Sequence, residues 1–276
     1  MRFVFYPLLV GSAVLAWCLG ASFIRDDAQL PLLNLAISAA VIPILIGAEH
    51  RWPHQRAWLT RRGDMVADLF SSLIVLPVVI FGAEQLNRAA IPSLRVFDEH
   101  TPLAVQFTVG LVAAEFMHFW VHRLAHHWTP LWRLHAVHHG APRLYWGNAG
   151  RFHPLDVAIV FPLYFLPMIL LGASPRAFSL FLVVNTVTGF LEHANVDFVT
   201  GPLRYVMNTA ELHRLHHADD LATSRHNYGK VLCIWDVAFR THLLGPSRLD
   251  IGAGRPVPVT IIGQLLSPFR NETGAS

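Results

Sequence analysis

The stretch EFMHFWVHRLAHHWTPLWRLHAVHH, residues 115–139, decides the reading of this 276-residue chain. It begins inside a long apolar run and ends on histidines, six of which fall within residues 122–139. Residues at i, i+3 and i+4 share one face of a helix. His122 and His126 should therefore point one way, and His135, His138 and His139 should share another direction. HRLHH at 213–217 repeats the pattern with His213, His216 and His217, and His193 stands alone in FLEHANV at 190–196. Facing helices that project such groups inward are how a helical bundle builds a metal site. Neutral imidazole suits iron, zinc, copper and nickel. A catalytic zinc normally takes three protein ligands and keeps one open position. Nine histidines overshoot even two such zinc sites, whereas iron accepts higher coordination, so two ions is the economical reading.

Around this stretch the chain is 53% hydrophobic and 14% charged, with mean hydropathy +0.42, against roughly a quarter charged in soluble domains. That composition excludes an ordinary soluble domain and a disordered one. Cys18 and Cys233 are far apart and form no CxxC pair, so neither a disulfide framework nor a cysteine zinc finger is available. The net charge of +3 comes from scattered arginines, with Lys230 the only lysine. No basic stripe tracks a phosphate backbone, and nucleic acid is not an expected partner.

A bilayer core of about 30 Å takes roughly 20 apolar residues as helix. Residues 3–24, 30–48, 66–86 and 103–121 each supply such a run. The first is longer than the apolar core of a signal peptide and is closely followed by a second span, which favours a membrane helix. Residues 155–172 and 177–191 are shorter and are joined by the turn-prone GASP at 172–175, so they read as a hairpin that spans or dips in partway. The expected fold class is all-α: an integral membrane helical bundle of about four transmembrane helices plus a shorter hairpin, with a cytoplasmic histidine-rich helical cap. Three regions are expected: N-terminal transmembrane helices and loops at 1–100, a histidine-rich catalytic domain at 101–245, and a polar C-terminal tail at 246–276, the last eighty or so residues forming a polar cap that ends in a mobile tail. Short cytoplasmic loops are enriched in arginine and lysine. Arg51, Arg56, Arg61 and Arg62 follow the second span, whereas Arg25 after the first is offset by Asp26 and Asp27. The N-terminus and every histidine group are therefore expected on the cytoplasmic side.

These residues resemble the fatty acid hydroxylase and sterol desaturase superfamily, the integral-membrane histidine-box di-iron oxygenases. The resemblance covers about residues 48–270. It runs from 115–139 through NAGRFHPLD at 148–156, FLEHANVDF at 190–198, HRLHHA at 213–218, NYGKVLCIWDVAF at 227–239 and QLLSPF at 264–269. It implies two non-haem iron ions held by His122, His126, His135, His138, His139, His193, His213, His216 and His217, with His153 and Asn227 nearby as support. The implied reaction uses O2 to hydroxylate or desaturate a C–H bond of a lipid. No fused haem domain is visible, so electrons are expected from a separate ferredoxin- or cytochrome-type donor. The chain departs from the family pattern at His226, usually Asp, and at Phe239-Arg240-Thr241, usually FGT. Some relatives carry a further histidine where this chain has Gly189, so a tenth ligand is either missing or supplied elsewhere.

Other residues have candidate supporting roles. Glu115 and His118 share the His122 face, Glu115 as a carboxylate that orients a ligand imidazole and His118 as support or channel lining. Asp156, Glu192 and Asp197 are comparable, and His226 adjoins the same region. His127 is expected off the site, since adjacent helical residues point about 100° apart. His50, His54, His100 and His242 read as structural, and Trp120, Trp132, Trp146 and Trp235 as interfacial anchors. The basic loop at 52–63 is a candidate docking surface for an acidic electron donor. The alternative function is a histidine-lined membrane metal transporter, or a metal-binding protein without oxygenase activity. A transporter would place polar residues at mid-membrane on broken helices, and a bis-histidine haem protein would need one axial pair per haem. The sequence leaves the lipid open, and hydroxylation against desaturation with it.

Overall fold

In hydrocarbon every backbone polar group must find its partner within the protein, so apolar runs of this length are driven into helix. The computed structural model describes residues 2–89, 96–245 and 249–270, and no strand occurs among them. The long helices are α1 (Arg2–Phe23), α2 (Leu30–Arg51), α3 (Met65–Ala89) and α4 (Leu103–His127). Then come α5 (Thr129–His139), α6 (Pro154–Leu171), α7 (Pro175–His193) and α8 (Ala210–His216), followed by three short helices, α9 (Leu221–Ser224), α10 (Ile234–Ala238) and α11 (Ile261–Leu266). Five of the helices, α1, α2, α3, α4 and α6, are long and apolar enough to cross a membrane.

The hairpin is present, but its two arms differ in kind. Gly172 turns the chain with φ +80°, the left-handed conformation that favours glycine. The Ser174 side chain then accepts the Ala177 N–H at 3.3 Å to start α7. α6 is apolar enough to face lipid, whereas 16 of the 19 residues of α7 are buried inside the protein. This explains the weaker hydropathy of the second arm: Asn185, Thr188 and Glu192 are tolerated because α7 is surrounded by α1, α2, α3 and α4 rather than by lipid.

Polar bridges fix this central helix. Trp17 Nε1 donates to Ser179 Oγ at 3.2 Å, and Asn34 Nδ2 reaches Ser179 Oγ at 3.0 Å and Glu84 Oε1 at 3.2 Å. Interhelical hydrogen bonds in membranes average only about 0.6 kcal/mol, so close packing carries more of the association. Here it is supplied by Tyr164, Phe165, Phe178 and Phe181, all nearly inaccessible, with ring centroids 5.3–6.1 Å apart.

Beyond the bundle the chain folds into a compact lid. Arg151 is fully buried, paired with Asp68 at 2.9 Å, and donates to the carbonyls of Val137, Gly140 and Pro258. Arg143 is paired with Asp64 at 2.7 Å. Part of the expected tail, residues 249–270, makes contacts with the rest of the chain. These residues return across the lid through the Ala218–Ile251 bridge and the Pro258 contact, and the turn Ser267–Phe269 packs against α5. Polar Gln264 and Ser267 are buried there, held by their own local hydrogen bonds. Residues 246–248 and 271–276 of the expected tail lie outside the described residues.

Candidate metal centre

Nine histidines converge into two adjoining groups. His122, His126, His135, His139 and His216 form one, and His138, His193, His213 and His217 the other, with the nitrogens in each group within 4.8 Å of one another. None of the nine is more than 6% exposed. α4 contributes His122 and His126, α5 contributes His135, His138 and His139, the last turn of α7 contributes His193, and α8 with its C-terminal cap contributes the remaining three. The two groups meet where the rings of His139 and His217 stack at 4.3 Å.

The shared direction expected within each triplet is not what the fold delivers. In α5 the i, i+4 pair His135 and His139 enters one group while His138 enters the other; in α8 the pair His213 and His217 enters the second group while His216 crosses to the first. Three residues along a helix turn about 300° and four turn about 400°, so the two partners of one histidine diverge enough to serve two centres side by side.

The hydrogen-bonding pattern tests whether a cation fits. The Nδ1 atoms of five rings meet acceptors: His122 the carbonyl of Tyr228 at 2.8 Å, His135 Asp156 Oδ2 at 3.1 Å, His138 the Arg151 carbonyl at 3.1 Å, His193 Asn148 Oδ1 at 3.0 Å, and His216 the His226 carbonyl at 2.8 Å. Such acceptors can only accept, so each Nδ1 carries the proton and each Nε2 is left with an unshared pair. Yet His122 Nε2 stands 3.0 Å from both His135 Nε2 and His216 Nε2. Lone pair faces lone pair in a buried site, an arrangement a cation relieves. Further buried nitrogens have no protein partner, namely His126 Nε2, both nitrogens of His139, and Nδ1 of His213 and His217. Buried polar atoms are ordinarily paired, so the donor set fits a metal site.

Burial also puts the rings in the form a metal binds. It holds His138, His139, His213 and His217 well below the ordinary imidazole range, with neighbouring imidazoles adding to the effect. His216 is brought down to about 3 by burial, against the opposing hydrogen bond to the His226 carbonyl. At neutral pH these rings are uncharged, as ligation requires.

The candidate supporting residues divide. Asp156 does hold a group member, His135. Glu115 touches no imidazole in the two groups: it accepts the Tyr164 hydroxyl at 2.6 Å and the backbone N–H groups of Lys230, Val231 and Leu232 at 3.0–3.1 Å. The loop after NYG has unpaired amides to satisfy, and a buried carboxylate satisfies them. His153 lies off the site, its Nδ1 capping α6 at Leu155 N and its Nε2 meeting the Leu265 carbonyl at 3.3 Å. His226 contributes its backbone carbonyl rather than its ring. Asn227 takes φ +57° and clamps the strands of chain around it, donating to the Leu212 and Leu243 carbonyls and accepting from Leu243 N–H. It thereby presents the Tyr228 carbonyl to His122. His127 falls outside both groups and meets the Tyr228 hydroxyl at 3.2 Å. Glu192 pairs with Lys230 at 3.1 Å. His118 lies beside the first group, its ring 5.0 Å from His122 and 4.6 Å from Tyr164, with neither nitrogen hydrogen-bonded. Trp132 is more than an interfacial anchor: it packs 5.0 Å from His126 and 5.4 Å from His139.

Sequence reasoning missed Asn148, Arg151 and the Tyr228 carbonyl. Asn148 and Arg151 stand in the quoted NAGRFHPLD segment, whose polar residues beside an apolar helix were the available signal. A backbone acceptor leaves no signal in residue identity.

Comparison with known proteins agrees with this architecture. An ornithine lipid hydroxylase of Rhizobium tropici is 35% identical over 281 residues, covering 95% of this chain and 83% of that protein. An alkylglycerol monooxygenase of Homo sapiens is 28% identical over 54% of this chain, and a probable Delta(7)-sterol 5(6)-desaturase of Neurospora crassa is 30% identical over 48%. The matched segments make up 33% and 36% of those two proteins. No solved structure matches the chain. Residues 107–241, which carry all nine histidines, match the fatty acid hydroxylase family, and the chain belongs to that family of lipid-oxidising enzymes.

Proposed function

We propose that the two histidine groups hold two non-haem iron ions and that the enzyme hydroxylates a C–H bond of an amino-acid-bearing membrane lipid, using O2 and electrons from a separate ferredoxin- or cytochrome-type donor. His122, His126, His135, His139 and His216 would hold one ion, and His138, His193, His213 and His217 the other. The observation that carries this reading is the convergence of unshared nitrogen pairs in two adjoining buried groups. Bound iron supplies the activation of O2 that C–H oxidation needs. The chain supplies orientation and exclusion of water. Tyr228, Asp156, Arg151, Asn148 and His226 hold the outer ring nitrogens, so that the inner ones keep their aim. Phe152, Phe161 and Tyr164 wall the cavity beneath the histidines with aromatic carbon. An acyl lipid reaches such a cavity from the bilayer without leaving an apolar phase.

The choice of an amino-acid lipid rests on similarity to the ornithine lipid hydroxylase along nearly the whole chain. Placement of the N-terminus and the metal centre on the cytoplasmic side rests on the arginines of the loop after α2. A transport path is disfavoured by the closed grouping of the nitrogens, which converge on two points instead of lining a route.

The test is a comparative mass-spectrometric lipid profile of cells making the wild-type chain or its His138→Ala variant, with a compatible donor and an ornithine lipid present. A wild-type-only product with one added oxygen is expected. A product that has lost two hydrogens would make the chain a desaturase, and identical profiles would overturn the proposal.

A further inference from the structure

Two cavities meet at Lys230. One lies beneath the histidine groups and includes His118 and Tyr164 in its wall. The other runs between α3, α6 and α7 past Val75, Val79 and Phe190. Phe152, Phe161 and Lys230 line both. Small-ligand sites join apolar walls to a few placed polar groups.

Those polar groups are unusual here. Lys230 is the only lysine in the chain. Its Nζ is paired with Glu192 Oε2 at 3.1 Å, and Glu192 is fully inaccessible, with Oε1 unpartnered. Space for the ammonium exists because residue 189 is glycine: a Cβ there would lie 2.6 Å from Nζ. His118, in the wall of the same first cavity, is 8% exposed, with neither ring nitrogen satisfied. A buried ion pair is poor evidence of stabilisation, since an apolar pair of similar volume often serves as well. An ammonium at the junction of two cavities, one of which also holds an unsatisfied imidazole in its wall, therefore calls for a ligand.

We infer that Lys230, backed by Glu192 and joined by His118, binds the carboxylate of the lipid's amino-acid headgroup and so sets substrate selectivity. This rests on the reading of the chain as an amino-acid-lipid hydroxylase. Lys230 Nζ and a ring N–H of His118 donate to the carboxylate oxygens, while the acyl chains lead out past the second cavity along α3 toward the bilayer. A zwitterionic headgroup brings its own ammonium, so the Lys230–Glu192 pair receives no net charge. Charge-assisted hydrogen bonds of this kind are about twice as strong as neutral ones.

The test uses the full-length, iron-loaded protein in nanodiscs and three probe lipids: ornithine lipid, its carboxyl methyl ester, and phosphatidylglycerol. Binding is measured without electron donor, and turnover with it. Wild type should bind ornithine lipid at least tenfold more tightly than the ester, the loss expected when a charged hydrogen bond goes unmade. The Lys230→Met/Glu192→Gln double variant, which leaves no unpaired buried charge, should abolish that preference and raise KM more than it lowers kcat. Lys230→Arg should retain it, and His118→Phe should weaken it in part. Equal binding of ornithine lipid and ester by wild type, or an unchanged preference in the double variant, would overturn the inference. Preferential binding of phosphatidylglycerol would overturn it in favour of a phosphate site. Binding preference without turnover would support the subsite while contradicting the proposed reaction, so the two failures are separable.

Discussion

Replacing Asp156 by leucine should weaken one metal position and spare the other. Asp156 Oδ2 receives the Nδ1 proton of His135 at 3.1 Å, with both side chains almost completely buried. Loss of such a partner typically lowers metal affinity about 10- to 100-fold, or about 1.4–2.7 kcal/mol. The five-histidine group should then release its ion at a 10- to 100-fold lower chelator concentration. The four-histidine group should be unaffected, because none of its rings bonds Asp156. Asn148 supplies the converse: it accepts from His193 Nδ1 at 3.0 Å, so Asn148→Leu should weaken only the four-histidine group. Chelator titration of the purified protein, with metal remaining on the chain read by mass spectrometry, would give a biphasic curve in each variant with opposite ions lost first. Loss of both ions together in both variants, or no change in either, would refute the assignment of separate supports to separate centres.

Three further outcomes follow from the lid and its loops. Arg151→Met strands Asp68 in a fully buried position, and breaking such a pair costs about 3–5 kcal/mol, so thermal unfolding in detergent should show a marked fall that Asp68→Asn partly reverses; an unchanged midpoint would contradict the pairing. Burial pushes the Asp64 carboxyl up, but the Arg143 hydrogen bonds overcome it and hold the group below its usual range. A depressed carboxyl stabilises the fold above the unfolded value, about 3.9, and loses that effect as pH falls toward the folded value. The stability gap between wild type and Asp64→Asn should therefore be flat above about pH 5 and close below about pH 4; a gap that widens in acid would reverse the sign. Finally, Arg56, Arg61 and Arg62 are exposed on the loop after α2, and changing all three to glutamine should raise the KM for an acidic donor and flatten its salt dependence; unchanged donor kinetics would remove this docking surface.

What could be read from the sequence followed the range of the interaction. Helical faces are local, so His122 with His126, His135 with His139, and His213 with His217 were legible from spacing, and each pair does enter one group. The crossing of His138 and His216 was not, because it depends on which helix packs opposite each ring. Apolar runs announced the lipid-facing helices, while α7 was harder to classify. Its polar residues weaken its hydropathy, and their burial among other helices is a tertiary fact. Glu115 shows the same limit. Its place on the His122 face suggested an imidazole partner, yet three backbone amides from residues 230–232 claim it. Asn148, Arg151 and the Tyr228 carbonyl support the histidines through contacts distant in sequence, which no local pattern encodes.

The most direct test of the whole account is the metal content of the purified chain, with His138→Ala and His216→Ala beside it. The wild-type chain should carry about two irons, and each variant should lose iron, from the four-histidine group in the first and the five-histidine group in the second. Both variants should remain inserted in the membrane. Wild-type protein that binds no iron when reconstituted with it, or variants that both keep the full wild-type load, would contradict the account at its centre.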